Sequence, residues 1–409
     1  MTDPATTGPA PDDKIDTALH SVTQVLAGYQ PGFRLVNGQA ASASDRFTVV
    51  PARGTPRLLL PIKQAAMATA LKSFVGGHRW ARLAPTVLQV VSKTAGTTPV
   101  LSRDVSLISD SGQPAPIRDL FASVLGRSDF ELAFRLSVGR PNAKTVAMAI
   151  SADGDPLCFA KVGSEDMTNS LVEYETKVLE HFQNRDLGVV IPEVLHASRW
   201  AGDHHVLITE PLLLSPLKRT ATIAHQAADD FTTASPIATF PLRDSPYWHG
   251  VVTRINQIRE DSSSRAVLTQ AISAIEGKWG STEFDFGYAH GDWSRANLGT
   301  VDGKLIALDW ERCTDNSPRG IDIAHFAIIE NSSSLSNRLL DLDRIEDHTR
   351  HYLDEIGRSP LLARPLIAFD LVEMMLRFCT AQAVGLPSHD SSFGPALRAA
   401  ILRWGADSS

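Results

Sequence analysis

The chain has 409 residues, of which 43% are hydrophobic and 21% charged, and 39 Lys and Arg against 46 Asp and Glu leave a net charge of −7. That balance excludes a disordered chain, and it excludes a nucleic-acid-coating protein, whose phosphate contacts demand a basic excess. No apolar run approaches the ~18 residues of a membrane span, and residues 1–13 lack the basic then apolar stretch of a secretory signal. Cys158, Cys313 and Cys379 form no CxxC pair, so neither structural disulfides nor a zinc knuckle is expected. A cytoplasmic protein with neither nucleic acid nor membrane as a partner is expected, divided into two or three domains at this length.

Residues 1–14 read as a disordered tail. Residues 15–127 read as an α+β extension, with helices at 15–26, 63–75, 83–95 and 116–125, a hairpin of strands 47–50 and 58–60, and a short strand at 105–108. Pro116 in the first turn and Gly126 just past the end bound the last of these helices. Over 128–215 the pattern changes to strands at 131–138, 145–150 and 157–162, the last two joined at Asp153-Gly154, a two-residue hairpin signal. A helix at 168–183 follows, with Leu171, Tyr174, Val178, Leu179 and Phe182 as its apolar stripe. Two more strands, 194–198 and 206–209, lead into a connector from Glu210 to Pro216 whose prolines break both helix and strand. From 216 to 409 the chain reads as helical at 221–231, 248–260, 264–279, 320–331, 335–355 and 363–384, interrupted by a strand-rich island at 284–310. The expected class is α+β: a small β-rich part, then a mainly helical one.

The island carries the chemistry. Asp302-Gly303 is again a hairpin turn, and a hairpin centred on that pair sets Asn297 opposite Leu308, beside Asp309. Opposed residues in such a ladder lie about 5 Å apart. An amide oxygen and a carboxylate side by side make a nest for a hard divalent cation such as Mg²⁺. Asp292, five residues before Asn297, brings a third oxygen group to the same place. That set suits phosphoryl transfer, which needs a cation, a carboxylate to orient the acceptor hydroxyl and take its proton, and little more. Asp309 ends the apolar run Leu305-Ile306-Ala307-Leu308, where a carboxylate without a partner is costly. His290 reads as a hydrogen-bonded scaffold residue and Asp302 as a turn residue.

Lys161 interrupts another apolar strand, Leu157-Cys158-Phe159-Ala160-Lys161-Val162. It is either a snorkelling edge residue or a phosphate ligand, and the downstream carboxylates favour the second. Glu173 or Glu175 of the next helix could pair with it. No Walker A motif occurs.

At these residues the chain resembles the aminoglycoside phosphotransferase and choline kinase family, small-molecule kinases on a two-lobed protein-kinase-like fold. The match is His290-Gly-Asp292-Trp-Ser-Arg-Ala-Asn297 followed by Leu308-Asp309-Trp310-Glu311, and it extends over residues 130–409. The resemblance implies ATP bound between a small β-rich lobe and a helical lobe, with Glu210 and Leu212 in the connector whose backbone meets adenine. It implies Asp292 as the catalytic carboxylate, Asn297 and Asp309 as Mg²⁺ ligands, Lys161 on the α- and β-phosphates, and Glu175 orienting Lys161. Residues 137–144 would lie over the phosphates, though they carry Gly139 without a GxGxxG pattern. Asp322 matches a position that supports the catalytic loop, and a plain helix N-terminal carboxylate reads the same way.

The expected activity is phosphorylation of a small-molecule hydroxyl: a sugar, an amino sugar or an amino alcohol. A cationic acceptor is suggested by Asp309, Glu311, Asp315 and Asp322. The alternatives are a catalytically inactive nucleotide-binding module, which the intact set of Asp292, Asn297, Asp309 and Lys161 disfavours, and a protein kinase, which the absence of an activation segment after Asp309 disfavours. Arg295 is either an active-site charge or a surface residue. Trp248, Tyr247 and Glu373 either line the acceptor pocket or belong to core and surface.

Overall fold

The computed structural model describes residues 20, 22–27, 32–38, 40, 45–51, 57–75, 103–111, 115–136, 144–217, 222–259, 262–331, 341–383 and 393–405. The tail at 1–14, the helix expected at 83–95, the start of that expected at 335–355 and the stretch 137–143 lie outside them. The described residues fall into two compact units, one reaching to Glu180 and including Pro192–Leu213, the other comprising His181–Ile191 and the chain from Leu214 onward. One is β-rich and the other mainly helical, the α+β organisation that the patterns imply.

The first unit is built on a nine-stranded sheet in the order β1-β4-β2-β3-β5-β6-β7-β9-β8. Its strands are β1 Phe33–Asn37, β2 Asp45–Val50, β3 Leu58–Pro61, β4 Arg103–Ser109, β5 Phe130–Arg135, β6 Thr145–Ser151, β7 Pro156–Val162, β8 Val194–Trp200 and β9 His204–Thr209. Helices α1 Gln64–Val75, α2 Pro116–Leu125 and α3 Asp166–Phe182 accompany it. The strands of residues 33–109 continue the same sheet, because β3 pairs with β5, Leu58 opposite Arg135 and Leu59 opposite Phe134. One apolar cluster gathers Phe47, Val49, Val105, Phe121, Phe130 and Phe134 with Val22, Val25 and Leu26. A second gathers Leu58, Leu60, Met148 and Ile150 with Ala66, Met67, Ala70 and Leu71 of α1. Every residue of β6 is buried, and each large apolar side chain so covered contributes about 1.5–3 kcal/mol.

Local signals predict several of these elements. Pro116 opens α2 and Gly126 ends it in the left-handed conformation, φ 65°. The β6–β7 hairpin keeps the register centred on Asp153-Gly154 from Thr145 opposite Val162 to Ala149 opposite Cys158, then slips so that Ile150 faces Pro156. Pro156 has no N–H for the ladder. Ser151 closes the turn instead, its N–H donating to the Asp155 carbonyl at 2.8 Å and its Oγ accepting from the Asp155 N–H at 2.9 Å.

The stripe of α3 differs from the one the apolar residues suggest. Tyr174 is 43% exposed, whereas Val172, Glu175, Val178, Leu179 and Phe182 are buried. The spacing 172, 175, 179, 182 is helical, so a carboxylate occupies a position on the covered face.

The second unit holds α4 Thr222–Thr232, α5 Pro246–Asn256, α6 Ser263–Trp279, α7 Ile321–Asn331, α8 Leu342–Glu355, α9 Ala363–Ala383 and α10 Phe393–Gly405. Its strands form two three-stranded sheets, β10-β13-β14 and β11-β12-β15. They are β10 Ser215–Pro216, β11 Ala238–Pro241, β12 Glu283–Ala289, β13 Leu298–Val301, β14 Lys304–Ala307 and β15 Thr314–Pro318. Five strands and helices have no counterpart among the expected ones: β1, β10, β11, β15 and α10, and β10 takes in Pro216 of the stretch read as a strand-breaking connector. Thr-Asp-Asn-Ser-Pro has the composition of a turn, and β15 exists because β12 offers a partner edge, Gly287 opposite Ser317. Helix α10 buries Leu397, Ala400 and Trp404, a helical spacing that the sequence carries. Among the described residues, no helix is long and apolar enough to cross a membrane.

Candidate active site

In the first unit the Lys161 Nζ donates to both Glu175 carboxylate oxygens, at 2.6 and 2.7 Å. The Glu175 side chain is 3% exposed, which accounts for the covered position on α3: a carboxylate is tolerated there because a cation meets it. Glu173 faces elsewhere, accepting from Lys177 at 2.6 Å and lying 3.5 Å from His205. The rotation of α3 thus decides between the two glutamates. Glu210 is anchored to Glu193, whose N–H donates to Glu210 Oε1 at 3.1 Å while the Glu210 N–H donates to the Glu193 carbonyl at 3.0 Å. Leu212 is half-buried in the irregular stretch that follows.

In the second unit β12 runs into a loop pinned at every turn. The Asp322 carboxylate, at the start of α7, accepts the His290 N–H at 2.7 Å and the Gly291 N–H at 2.9 Å. Of the two readings of Asp322, the loop support describes its contacts. Burial pushes its pKa up, against the pull of His290 and the two N–H donors. Gly291 has φ +78° and its Cα faces the Arg312 carbonyl, 2.4 Å from where a Cβ would stand, so only glycine fits. Arg377 holds the Gly291 carbonyl at 2.7 Å.

His290 is fully buried. Its Nδ1 accepts the Asp292 N–H at 3.2 Å and its Nε2–H donates to the Leu308 carbonyl at 3.1 Å. Burial holds its pKa down against the upward pull of Asp322, Asp292 and Asp309, so it is a neutral imidazole with both nitrogens engaged. Its ring packs edge-on against Trp293 and Trp310, centroids 5.4 and 4.6 Å away. The indole N–H groups of those two tryptophans are bonded to the Ala224 and Ala307 carbonyls. His290, Trp293 and Trp310 are therefore scaffold.

The β13–β14 hairpin has the expected register. Val301 opposes Lys304, and Leu298 opposes Ala307. Asp302 and Gly303 both have positive φ, 50° and 79°, as a two-residue type I′ turn requires. The Leu308 N–H donates to the Asn297 carbonyl at 2.9 Å, so Asn297 stands across from Leu308. Asp309 follows with φ 69°, a conformation uncommon for a side-chain-bearing residue and one that clusters at functional sites. One oxygen of Asp309 and one of Glu311 lie within 4.8 Å of each other.

Asn297 Nδ2 donates to the Asp292 carbonyl and to Asp292 Oδ2, both at 3.0 Å. With the amide nitrogen so committed, the amide oxygen is the end presented to a ligand. The Asn297 amide and the Asp309 carboxylate both offer oxygen donors, the chemistry a hard cation such as Mg²⁺ takes. The residues therefore fit the ion.

Asp292 itself is 40% exposed at the side chain. Burial raises its pKa, but the hydrogen bond from His325 and the charge of that ring outweigh it and hold Asp292 below the usual carboxylate range. His325 Nε2 lies 3.3 Å from Asp292 Oδ1, and its Nδ1 lies 3.1 and 3.0 Å from the two oxygens of Asp370 on α9. Neither His325 nor Asp370 is among the residues that the sequence analysis singles out. The signals were present: His325 follows Asp322 by three residues, one helical turn, and Asp370 interrupts the apolar run Leu366-Ile367-Ala368-Phe369.

Arg295 is paired with Glu330 at 2.7 Å and lies over the Phe326 ring at 5.4 Å. Trp248 and Tyr247 are buried core residues. Glu373 is no surface residue, since Arg254 donates to both its oxygens at 2.9 and 2.6 Å. All three cysteines are buried, and none is in a disulfide.

No family model matches the sequence, and no curated protein matches it. Solved structures similar to the chain are protein-kinase-like small-molecule kinases. A thermostable mutant of aminoglycoside phosphotransferase APH(4)-Ia is 16% identical, with 71% of this chain and 99% of that one covered and a TM-score of 0.49. A microcompartment-associated aminopropanol kinase is 15% identical, covering 71% and 98%, with a TM-score of 0.46. An ethanolamine kinase of Plasmodium vivax is 14% identical, covering 67% and 81%, with a TM-score of 0.45. At these identities and scores the likeness assigns no substrate and no residue role to this chain.

Proposed function

We propose that the chain is an ATP- and Mg²⁺-dependent phosphotransferase that phosphorylates a hydroxyl of a small molecule, a sugar, amino sugar or amino alcohol. The observation that supports it most is the fixed geometry around Asp292: an ionised carboxylate, open to solvent on one side, with its partner Asn297 opposed to the residue before Asp309. On this reading the acceptor hydroxyl donates to Asp292. Its oxygen bonds to the γ-phosphorus as the bond from that phosphorus to the β,γ-bridging oxygen breaks. The hydroxyl proton passes to Asp292, and ADP leaves with the bridging oxygen. A carboxylate held below its usual pKa is a weak base, which suits a loose transition state in which the proton moves late and orientation matters most. Asn297 and Asp309 would hold Mg²⁺, which when bound would supply positive charge to the phosphates. Lys161, oriented by Glu175, contributes a cation to the same end.

The test is ATP consumption by the purified protein with Mg²⁺ against a panel of sugars, amino sugars, aminoglycosides and amino alcohols. An acceptor-dependent signal that vanishes in Asp292→Ala supports the reading. Absence of ATP binding and of turnover with every acceptor would overturn it. Lys161→Ala is expected to raise the KM for ATP by about tenfold or more, with the acceptor KM little changed, because a charge-assisted contact to phosphate is worth roughly 1.5–3 kcal/mol. Steady-state kinetics with each substrate varied in turn checks it, and an unchanged ATP dependence removes Lys161 from the site.

A further inference from the structure

Three groups stand in line behind the open face of Asp292. Asp370 projects from α9, His325 from α7, and Asp292 from the loop after β12. Exposure rises along the line, with side-chain values of 3% for Asp370, 4% for His325 and 40% for Asp292. Two carboxylates on one imidazole is an expensive arrangement in a helical core, where apolar side chains of similar volume serve stability as well or better.

The hydrogen bonds around Asp292 give the line a purpose. Oδ2 takes its donor from Asn297 and Oδ1 takes its donor from His325. The carboxylate is thus held at both oxygens, and each oxygen keeps a lone pair for another partner. Without His325, rotation about the Cβ–Cγ bond would be restrained on one side only.

We propose that His325 and Asp370 are positioning residues for Asp292: Asp370 orients the His325 ring, and the ring's Nε2–H fixes the carboxylate that takes the acceptor proton. The role rests on the phosphotransferase reading of Asp292. His325 is not a proton carrier. Asp370 faces it from α9, Asp292 and His290 from the loop, and Asp322 from one turn earlier on its own helix. Burial opposes its charge, but the carboxylates outweigh burial and hold its pKa up at about 10. A ring with both nitrogens protonated donates two hydrogen bonds and has no lone pair to accept a proton. Its part is to hold Asp292 in place.

The test uses the full-length chain and two readouts. In steady-state ATP turnover, His325→Gln and Asp370→Asn are each expected to lower kcat by about 10- to 100-fold with the KM for ATP within about twofold, the loss that comes from a misplaced reacting group. The double variant should be no worse than His325→Gln alone, since Asp370 acts through His325. A residue that serves the fold alone would lower the melting temperature without separating kcat from KM. The second readout needs neither turnover nor an acceptor. ¹⁵N NMR of the histidine rings at pH 8, assigned with His325→Gln, should show both His325 nitrogens protonated, and one proton lost in Asp370→Asn. A neutral His325 ring in the wild type, or an unchanged kcat in Asp370→Asn, overturns the proposal. If the wild type turns over no ATP with any acceptor, the reading of the reaction fails, while the NMR still decides whether His325 is held doubly protonated against the two carboxylates.

Discussion

Asp292→Asn is expected to lower kcat by about 10³-fold, within the range that a positioned acid or base contributes, with the KM for ATP within a few-fold. Asparagine keeps the shape of the side chain. Its amide oxygen can still accept from His325 or from Asn297, but the group no longer takes a proton. The Asp292 backbone contacts survive too, because the loop is held by Asp322 and His290 rather than by the Asp292 side chain. Loss of activity without loss of fold is therefore the outcome to look for, and a melting temperature within a few degrees of wild type is the control. Steady-state kinetics on the purified variant checks it, and near-normal turnover removes Asp292 from the chemistry.

Asp322→Ala is expected to behave in the opposite way and lose the fold first. Its carboxylate is the acceptor for two neighbouring buried N–H groups, His290 and Gly291. Alanine leaves both without a partner and opens a space beside the fully buried His290 ring. Orphaned buried donors cost roughly 1–3 kcal/mol each, so a loss on the order of 2–5 kcal/mol is expected. Asp322→Asn, which retains one acceptor oxygen, should lie between. Urea denaturation followed by tryptophan fluorescence reads this directly, since Trp293 and Trp310 are buried around His290. A midpoint unchanged in Asp322→Ala would show that the loop draws its stability from elsewhere.

Different parts of the site were legible to different depths. The hairpin carrying Asn297 and Asp309 could be aligned from its residues alone. Asp302-Gly303 demands two positive φ angles, that demand selects one turn, and the turn sets the register of the strands on either side. The same logic weakened at Asp153-Gly154, where Pro156 cannot join the ladder and the register slips. Lys161 and Asp309 stood out because an ionised group in an apolar strand is costly enough to need a reason.

What could not be read locally was partner choice across elements. Glu173 and Glu175 differ by a rotation of α3 about its axis, and the choice shows only in a tertiary contact, the pairing of Lys161 with Glu175, not in the helix itself. The joining of residues 33–109 to the sheet of 130–209 depends on β3 meeting β5, a contact between strands some seventy residues apart. Strand β15 has a turn's composition and forms against an edge that only the folded chain supplies. His325 meets Asp370 across forty-five residues because α7 and α9 pack together. Turn chemistry and strand alternation are properties of neighbouring residues and are written in the sequence. The buried pairs that hold Asp292 in place are set by the packing of helices against one another, which no short stretch of sequence specifies.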